Sequence, residues 1–103
     1  MLIGQSPYIP VGEHEQDTTL STVSTITTSA GTSGILVQAI TQNIRMIIGG
    51  SKAPTASLGF RLIAGDPFVF IPVKPGTILK FIEETASAVL QYQEIQRFTE
   101  TVQ

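Results

Sequence analysis

Apolar and polar residues alternate along several short stretches of this chain, and a period of two is the pattern of a half-buried β-strand. Residues 58–63 illustrate it, because every second position from Leu58 to Leu62 holds a large apolar residue. Residues 88–95 alternate in the same way, with Leu90 and Tyr92 on one face. A helical period is poorly supported, so the pattern favours strands.

Further strand candidates are rich in β-branched or aromatic residues, which suit a pleated surface. They lie at residues 18–28, 35–40, 43–48, 68–72 and 78–82. Turn-forming residues separate them, as in the glycine-rich segments 29–34 and 49–57. About seven or eight short strands at this spacing are typical of a sandwich or barrel. We therefore predict an all-β domain over residues 18–95, in which antiparallel sheets pack face to face as a β-sandwich.

Most of the aromatic residues fall within the predicted strands. Four phenylalanines occupy alternating strand positions, which predicts that they belong to the core: Phe60, Phe68, Phe70 and Phe81. A platform for stacking sugars would need aromatic side chains on the surface, and the alternation does not favour this alternative.

The two ends of the chain differ from the middle. In residues 1–17, Pro7 and Pro10 favour extended backbone, and no partner strand is evident. We predict an extended N-terminal arm over residues 1–17 and a C-terminal tail over residues 96–103. The last ten residues fit either strand or helix. Apolar residues on such segments need a surface to pack against, on this domain or a neighbour, and the interface candidates are Leu2, Ile3, Tyr8, Ile9 and Phe98.

The chain is poor in charge. Charged residues make up 14% of its 103 residues, against about 25% in typical domains. A small domain with so little charge must cover its surface with uncharged polar residues or bury part of it in an assembly. Because a sandwich also has open sheet edges, we predict a homo-oligomer, with a trimer preferred.

The composition argues against several function classes. The net charge is −2 and the six basic residues are scattered singly, whereas a nucleic-acid binder needs a basic footprint. No apolar run approaches the roughly 20 residues that span a membrane. The first 17 residues lack the basic start and apolar run of a secretory signal. We therefore expect no nucleic-acid partner and no membrane partner.

Candidate catalytic and ligand-binding residues are few. His14 is the single histidine, and the sequence around it lacks the second histidine of a HExxH zinc site. Residues 49–52 do not match a phosphate-binding loop, which needs GxxxxGK[ST] between a strand and a helix. Glu83 and Glu84 are neighbours that point to opposite faces of a strand, which indicates a solvated strand end rather than a catalytic pair. We expect no catalytic, cofactor or metal residues, no small-molecule substrate and therefore no enzyme.

Residues 43–66 carry a resemblance to a known class of proteins. The strand NIRMII is followed by a glycine-rich loop, then by APTASLG at residues 53–59 and by AGD at residues 64–66. LKFI at residues 79–82 and VLQY at residues 89–92 extend the pattern. In these features the chain resembles small β-sandwich virion proteins of tailed bacteriophages, over about residues 18–93.

The resemblance implies a jelly-roll-like sandwich and a structural role on the virus particle. Proteins of this type decorate or cement the head, often as trimers, and have no catalytic or cofactor residues. The implied partners are further copies of the chain and a major capsid protein, and the implied location is the virion, assembled in the host cytoplasm. Two alternatives stay open: an accessory protein of the tail, neck or fibre, and a receptor- or carbohydrate-binding module.

Overall fold

The computed structural model of the chain describes residues 8–97, and these form eight β-strands and no helix. The strands are β1 Tyr8–Asp17, β2 Ser24–Thr27, β3 Gly34–Ile40, β4 Ile44–Ile48, β5 Phe60–Leu62, β6 Val69–Pro72, β7 Ile78–Glu83 and β8 Val89–Arg97. Every pairing between them is antiparallel. The prediction of an all-β, antiparallel fold is confirmed.

The strands form two four-stranded sheets. The first has the order β1-β8-β3-β6 and the second the order β2-β7-β4-β5. Among the described strands, only β4 and β5 are consecutive in sequence and share a sheet, and every other connection crosses to the opposite sheet. Strands that pair therefore lie far apart along the chain, as Tyr8 and Arg97 do at one end of β1 and β8.

The core lies between the two sheets and is built by alternation along their inner faces. Its fully buried side chains come from central strands of both sheets and from the loop before β2, and the largest are Leu20, Ile35, Ile44, Leu79, Phe81 and Leu90. Apolar alternation in β3 and β7 places every second side chain in this layer, as a sandwich requires. The assignment of Phe81 to the core is confirmed.

The assignment of the other three phenylalanines to the core is wrong. Phe60, Phe68 and Phe70 are 71%, 60% and 39% exposed. The reason is their position at the sides of the sheets, since β5 and β6 are edge strands. Phe70 pairs with Leu36, which lies on the outer face of its sheet. Alternation along a strand divides residues between two faces, but it does not say which face is buried.

The segment predicted as an extended arm needs correction for residues 8–17, which form β1 and pair with β8 along their length. The strands thus begin at Tyr8 and not near Thr18. The partner strand lies at the other end of the chain, so no local pattern indicates the pairing. Gly12 adopts a positive φ of 71°, and the register shifts between Val11 and Glu15, which breaks the alternation.

At the other end of the chain, β8 continues to Arg97, so Gln96 and Arg97 of the predicted tail are strand. Residues 1–7 and 98–103 lie outside the described residues. Three of the interface candidates fall there and are not placed: Leu2, Ile3 and Phe98.

Glu94 links the loop between β2 and β3 to the end of β8 through hydrogen bonds. Its Oε1 accepts hydrogen bonds from the Ser29 N–H and from the Thr32 hydroxyl, each at 2.7 Å. Thr32 is buried, so the carboxylate satisfies a hydroxyl that water cannot reach. The glycine-rich segment 29–34 is thus a crossover between the sheets rather than a hairpin turn.

A three-residue ion cluster stabilises the outer face of the second sheet. Arg45 and Arg61 lie directly opposite each other on β4 and β5, where like charges repel. Glu84 bridges them: its Oε2 accepts from Arg45 Nε at 2.5 Å and from Arg61 Nε at 2.9 Å, while its Oε1 accepts from Arg61 Nη2 at 3.0 Å. The Glu84 side chain is only 12% exposed, so its interpretation as a solvated strand end is wrong.

Both arginines lower the pKa of Glu84. The hydrogen bonds from Arg61 are the largest influence, and the partial desolvation that opposes them is outweighed by the hydrogen bonds and charges of both guanidinium groups. Asp17 also has a lowered pKa: its partial burial acts to raise it, but hydrogen bonds from Ser24 and Thr19 together outweigh that effect.

We predict that Gly59→Ala destabilises the fold much more than Gly65→Ala. Both glycines have positive φ, 127° and 90°, so alanine is strained at either position by about 1–3 kcal/mol. At Gly59 the new Cβ also lies 2.9 Å from the carbonyl oxygen of Met46, whereas at Gly65 it meets nothing within 4 Å. Overpacking against backbone adds about 1–3 kcal/mol. Urea unfolding of both variants measures the difference, and equal losses would contradict the close approach at Gly59.

We predict a dependence of stability on pH that passes partly through Glu84. Because its pKa is lower in the folded state than its ordinary value of 4.5, its stabilising effect is complete above pH 4.5 and is lost as the pH falls through the folded pKa. Glu84→Gln should therefore be less stable than the wild type at pH 7 and should lose less stability on acidification. Protonation of Asp17, whose pKa is also lowered, should account for part of the stability that this variant still loses.

Urea unfolding between pH 7 and pH 3 measures this effect. The control is Glu13→Gln, which neutralises an exposed carboxylate on β1 and should follow the wild-type profile. If Glu84→Gln also follows that profile, the cluster contributes nothing to stability.

Candidate functional site: a groove on the outer face of the first sheet

The outer face of the sheet β1-β8-β3-β6 differs from an ordinary solvated face because part of it is apolar. Cross-strand pairing places Leu36 of β3 between Gln93 of β8 and Phe70 of β6. The next outward row pairs Gly34 with Ile95 and with Pro72. Large apolar side chains are therefore neighbours on a surface that faces away from the core.

These side chains line a groove of about 440 Å³, which we call the apolar groove. Its lining residues come from all four strands of the sheet and from the residue before β6, and they are Ile9, Pro10, Leu36, Phe68, Phe70, Gln93 and Ile95. Ile95 is only 7% exposed, while Ile9 and Phe68 are 42% and 60% exposed. The groove thus has a covered floor and open apolar walls.

Gly34 makes room for the Phe70 ring. A Cβ at this position would lie 2.4 Å from Phe70 Cε1 and 3.2 Å from the carbonyl oxygen of Ile71. The absence of a side chain on β3 therefore lets the ring lie over the backbone, as an aromatic residue does beside a glycine in many sheets. This close approach sets the position of one wall of the apolar groove.

A smaller, more polar cavity of about 260 Å³ continues the apolar groove, and we call it the polar extension. It shares Leu36, Phe68 and Gln93 with the apolar groove and adds His14, Gln38, Gln91 and Tyr92. Phe68 therefore lies between an apolar surface and a row of amide side chains.

The glutamines of the polar extension are held by hydrogen bonds within the domain. Gln91 donates from Nε2 to Gln16 Oε1 at 3.1 Å, and its Oε1 lies 3.3 Å from His14 Nε2. Gln93 Nε2 donates to the carbonyl oxygens of Val11 and Gly12 at 3.2 and 3.4 Å. These contacts fix the bulge in β1 against β8, so β1 and the polar extension depend on each other.

The site carries little charge. None of the residues that line the apolar groove or the polar extension is Asp, Glu, Lys or Arg. Partial burial raises the pKa of the Tyr92 hydroxyl, and the carboxylates of Glu15, Asp17 and Glu94 raise it further, so this group is neutral at physiological pH. Contact with a partner here therefore requires no desolvation of an Asp, Glu, Lys or Arg side chain.

Next to the groove runs the open edge of β6. Residues 68–71 of this edge contain no charged side chain, and Val69 is 44% exposed. Soluble proteins usually protect such edges with lysine, proline or a bulge, and here Pro67 and Pro72 flank the segment. Contiguous exposed apolar residues of this kind indicate an interaction surface.

Of the residues predicted for the partner interface, Ile9 lies in the wall of the apolar groove. The backbone of Tyr8 pairs with Arg97 at the end of the sheet. Sequence reasoning missed Leu36, Phe68 and Phe70. The prolines at 67 and 72 were a usable signal, because proline within sheets is confined largely to edge strands and strand ends, and residues beside an edge are exposed.

The other residues considered for chemistry are dispersed. Lys52 lies exposed on the loop after β4, where its carbonyl oxygen accepts a hydrogen bond from Lys80 Nζ at 3.2 Å. Ser33 donates its N–H to the carbonyl oxygen of Ile95 at 2.8 Å. Within residues 8–97, no group of three or more His, Cys, Asp or Glu side chains is placed to hold a metal ion. In the same residues we find no helix long and apolar enough to cross a membrane.

Neither a protein-family model nor a curated protein nor a solved structure matches the chain. The groove, the open edge and the charge distribution are therefore the features that bear on its function.

Proposed function

We propose that this chain is a non-enzymatic structural protein of a virus particle, a capsid decoration protein that binds further copies of itself and the major capsid protein. The observation that carries the proposal is the uncharged apolar groove beside the open edge of β6. A surface of this kind suits contact with another protein, since interface cores are depleted in charge and enriched in aromatic residues.

The topology supports the proposal at the level of the fold. Strands pair as β1 with β8, β2 with β7, β3 with β6 and β4 with β5. This is the order obtained when a long hairpin of eight strands is rolled into two sheets, and on this ground we propose that the sandwich is a jelly roll. Jelly rolls build viral capsid and lectin domains. Because one fold hosts many functions, the groove and not the topology carries the argument.

The energetics of such a surface fit a decoration protein. Full burial of an exposed side chain of this size contributes about 1.5–3 kcal/mol. Phe68, Phe70 and Ile9 are already partly covered, so each would contribute less, and the cost of association must be set against the total. A protein that binds the assembled shell but not free capsid subunits stabilises the shell by mass action. The proposed location is the virion, assembled in the host cytoplasm, and the proposed oligomer is a trimer.

The same arguments apply to an accessory protein of the tail, neck or fibre, which differs in the partner and not in the surface.

A second candidate function, a receptor- or carbohydrate-binding module, is favoured by the polar extension. There Phe68 is exposed beside the amides of Gln38 and Gln91. A saccharide would contact an aromatic face and amide groups together, so its binding should depend on Gln38 and Gln91 as well as on Phe68.

We predict that Phe68→Ser combined with Phe70→Ser weakens self-association at least about tenfold, because two exposed apolar side chains are removed from the proposed interface. Light scattering at tens of micromolar protein measures the oligomer. Circular dichroism verifies that the variant retains its strands. The matched control is Val23→Ser combined with Leu58→Ser, which removes two exposed apolar side chains outside the groove and should leave the oligomer intact.

Attachment to the particle is tested with shells assembled from the major capsid protein of the same virus. We expect the wild-type chain to sediment with the shells until its sites are saturated and to raise the temperature at which the shells disrupt. The Phe68 and Phe70 double variant should bind less. If the folded chain binds tail structures and does not sediment with head shells, the proposed partner becomes a tail protein. If the chain is retained on an array of neutral glycans, the result favours a carbohydrate-binding module.

A further inference from the structure

We infer that the apolar groove is the receptor for residues 1–7 of a second copy of the chain, with Leu2 and Ile3 as the side chains that fill it. This inference rests on the proposed self-association and goes beyond it, because it names both the segment and the surface.

The position of the segment follows from β1. Tyr8 and Arg97 are the last paired residues at this end of the sheet. The next two residues of β1, Ile9 and Pro10, line the apolar groove. Residues 1–7 are therefore joined to the sheet beside the groove.

The segment is long enough for this contact. Seven extended residues span at most about 23–25 Å. The groove crosses from β1 to β6, which is three strand spacings or about 14 Å. Residues 1–4, which reach about 13–14 Å, can therefore lie across the groove of another copy while residues 5–7 bridge the gap between the two domains.

The direction favours a second copy over the segment's own domain. β1 is extended up to its first residue, so a return over its own sheet requires a reversal within residues 1–7. Pro7 fixes its own φ and biases Ser6 towards extended backbone, which opposes a reversal at the residues next to β1. A contact between the segment of one copy and the groove of the next is heterologous, and such contacts form a ring when the rotation between copies closes, as the proposed trimer requires.

The chemistry of the segment matches that of the groove. Residues 1–7 read MLIGQSP and contain no charged side chain. The residues that line the groove likewise contain no Asp, Glu, Lys or Arg. Leu2 and Ile3 offer apolar surface to Phe68, Phe70 and Ile95.

The absence of cysteine in the sequence permits a direct test with a single spin label. Gln5→Cys carries a nitroxide next to Leu2 and Ile3 without replacing them. Unlabelled protein enriched in ¹⁵N is mixed with nitroxide-labelled protein at natural isotope abundance, so that any broadening is intermolecular. We expect broadening of the amide resonances of Leu36, Phe68 and Phe70, and none at Thr25 and Thr27 on the outer face of the other sheet.

Substitution provides the second measurement. Leu2→Ser with Ile3→Ser in the labelled chain should abolish the broadening and raise the dissociation constant for self-association at least tenfold. The matched control, Val23→Ser with Leu58→Ser, removes two exposed apolar side chains outside the groove and should change neither.

The outcomes separate the inference from the proposed function. A second sample holds chains that carry both ¹⁵N and the nitroxide, diluted in unlabelled protein. If the groove resonances broaden only in this sample, the segment occupies the groove of its own chain and the inference is wrong. An intact oligomer by light scattering without intermolecular broadening at the groove would also overturn it, while leaving the proposed self-association in place. A monomer at tens of micromolar would remove both.

Discussion

The pairing of β1 with β8 is the interaction on which the apolar groove and the polar extension depend. It joins the two ends of the described chain, from Tyr8 opposite Arg97 to Asp17 opposite Leu90. Without β1, the apolar groove would lose Ile9 and Pro10, and the floor at Ile95 would be open to solvent. The pairing is interrupted by a bulge, which the Gln93 amide holds by donating to two carbonyl oxygens of β1. A contact between distant parts of the sequence thus forms both the edge of the sheet and the candidate site.

Charge is sparse in this chain, and three of its carboxylates make contacts within the fold. Glu84 compensates two arginines that strand pairing forces together, and Glu94 accepts hydrogen bonds from the loop before β3. Asp17 accepts from Ser24 and Thr19 where β1 ends and β2 approaches. Carboxylates that are committed to such contacts keep the loops and sheet ends in place. The residues that line the apolar groove and the polar extension contain no Asp, Glu, Lys or Arg.

The sequence allowed prediction of the architecture but not of the surface. Alternation along β3 and β7 predicts antiparallel sheets with a shared core, and Phe81 lies where that pattern puts it. The pattern could not place Phe68 and Phe70, because both faces of an edge strand can carry apolar residues. Nor could it find β1, since strand pairing between residues 8–17 and 89–97 leaves no local trace and Gly12 breaks the alternation. Long-range pairing therefore decides which apolar residues are core and which are available to a partner.

The edge of β6 limits how copies of the chain can meet. An exposed, uncharged strand invites addition of another strand, which leads to open-ended aggregation. Here β6 is four residues long and is bounded by Pro67 and Pro72. Proline lacks an N–H, so a strand added at this edge would find no donor at Pro72, the last residue of β6. The addition of a strand at this edge is therefore restricted, although the apolar side chains are exposed. A contact through the groove would bury these side chains without extending the sheet. The proposed heterologous contact would end where the rotation between copies closes a ring, without adding a strand to the sheet.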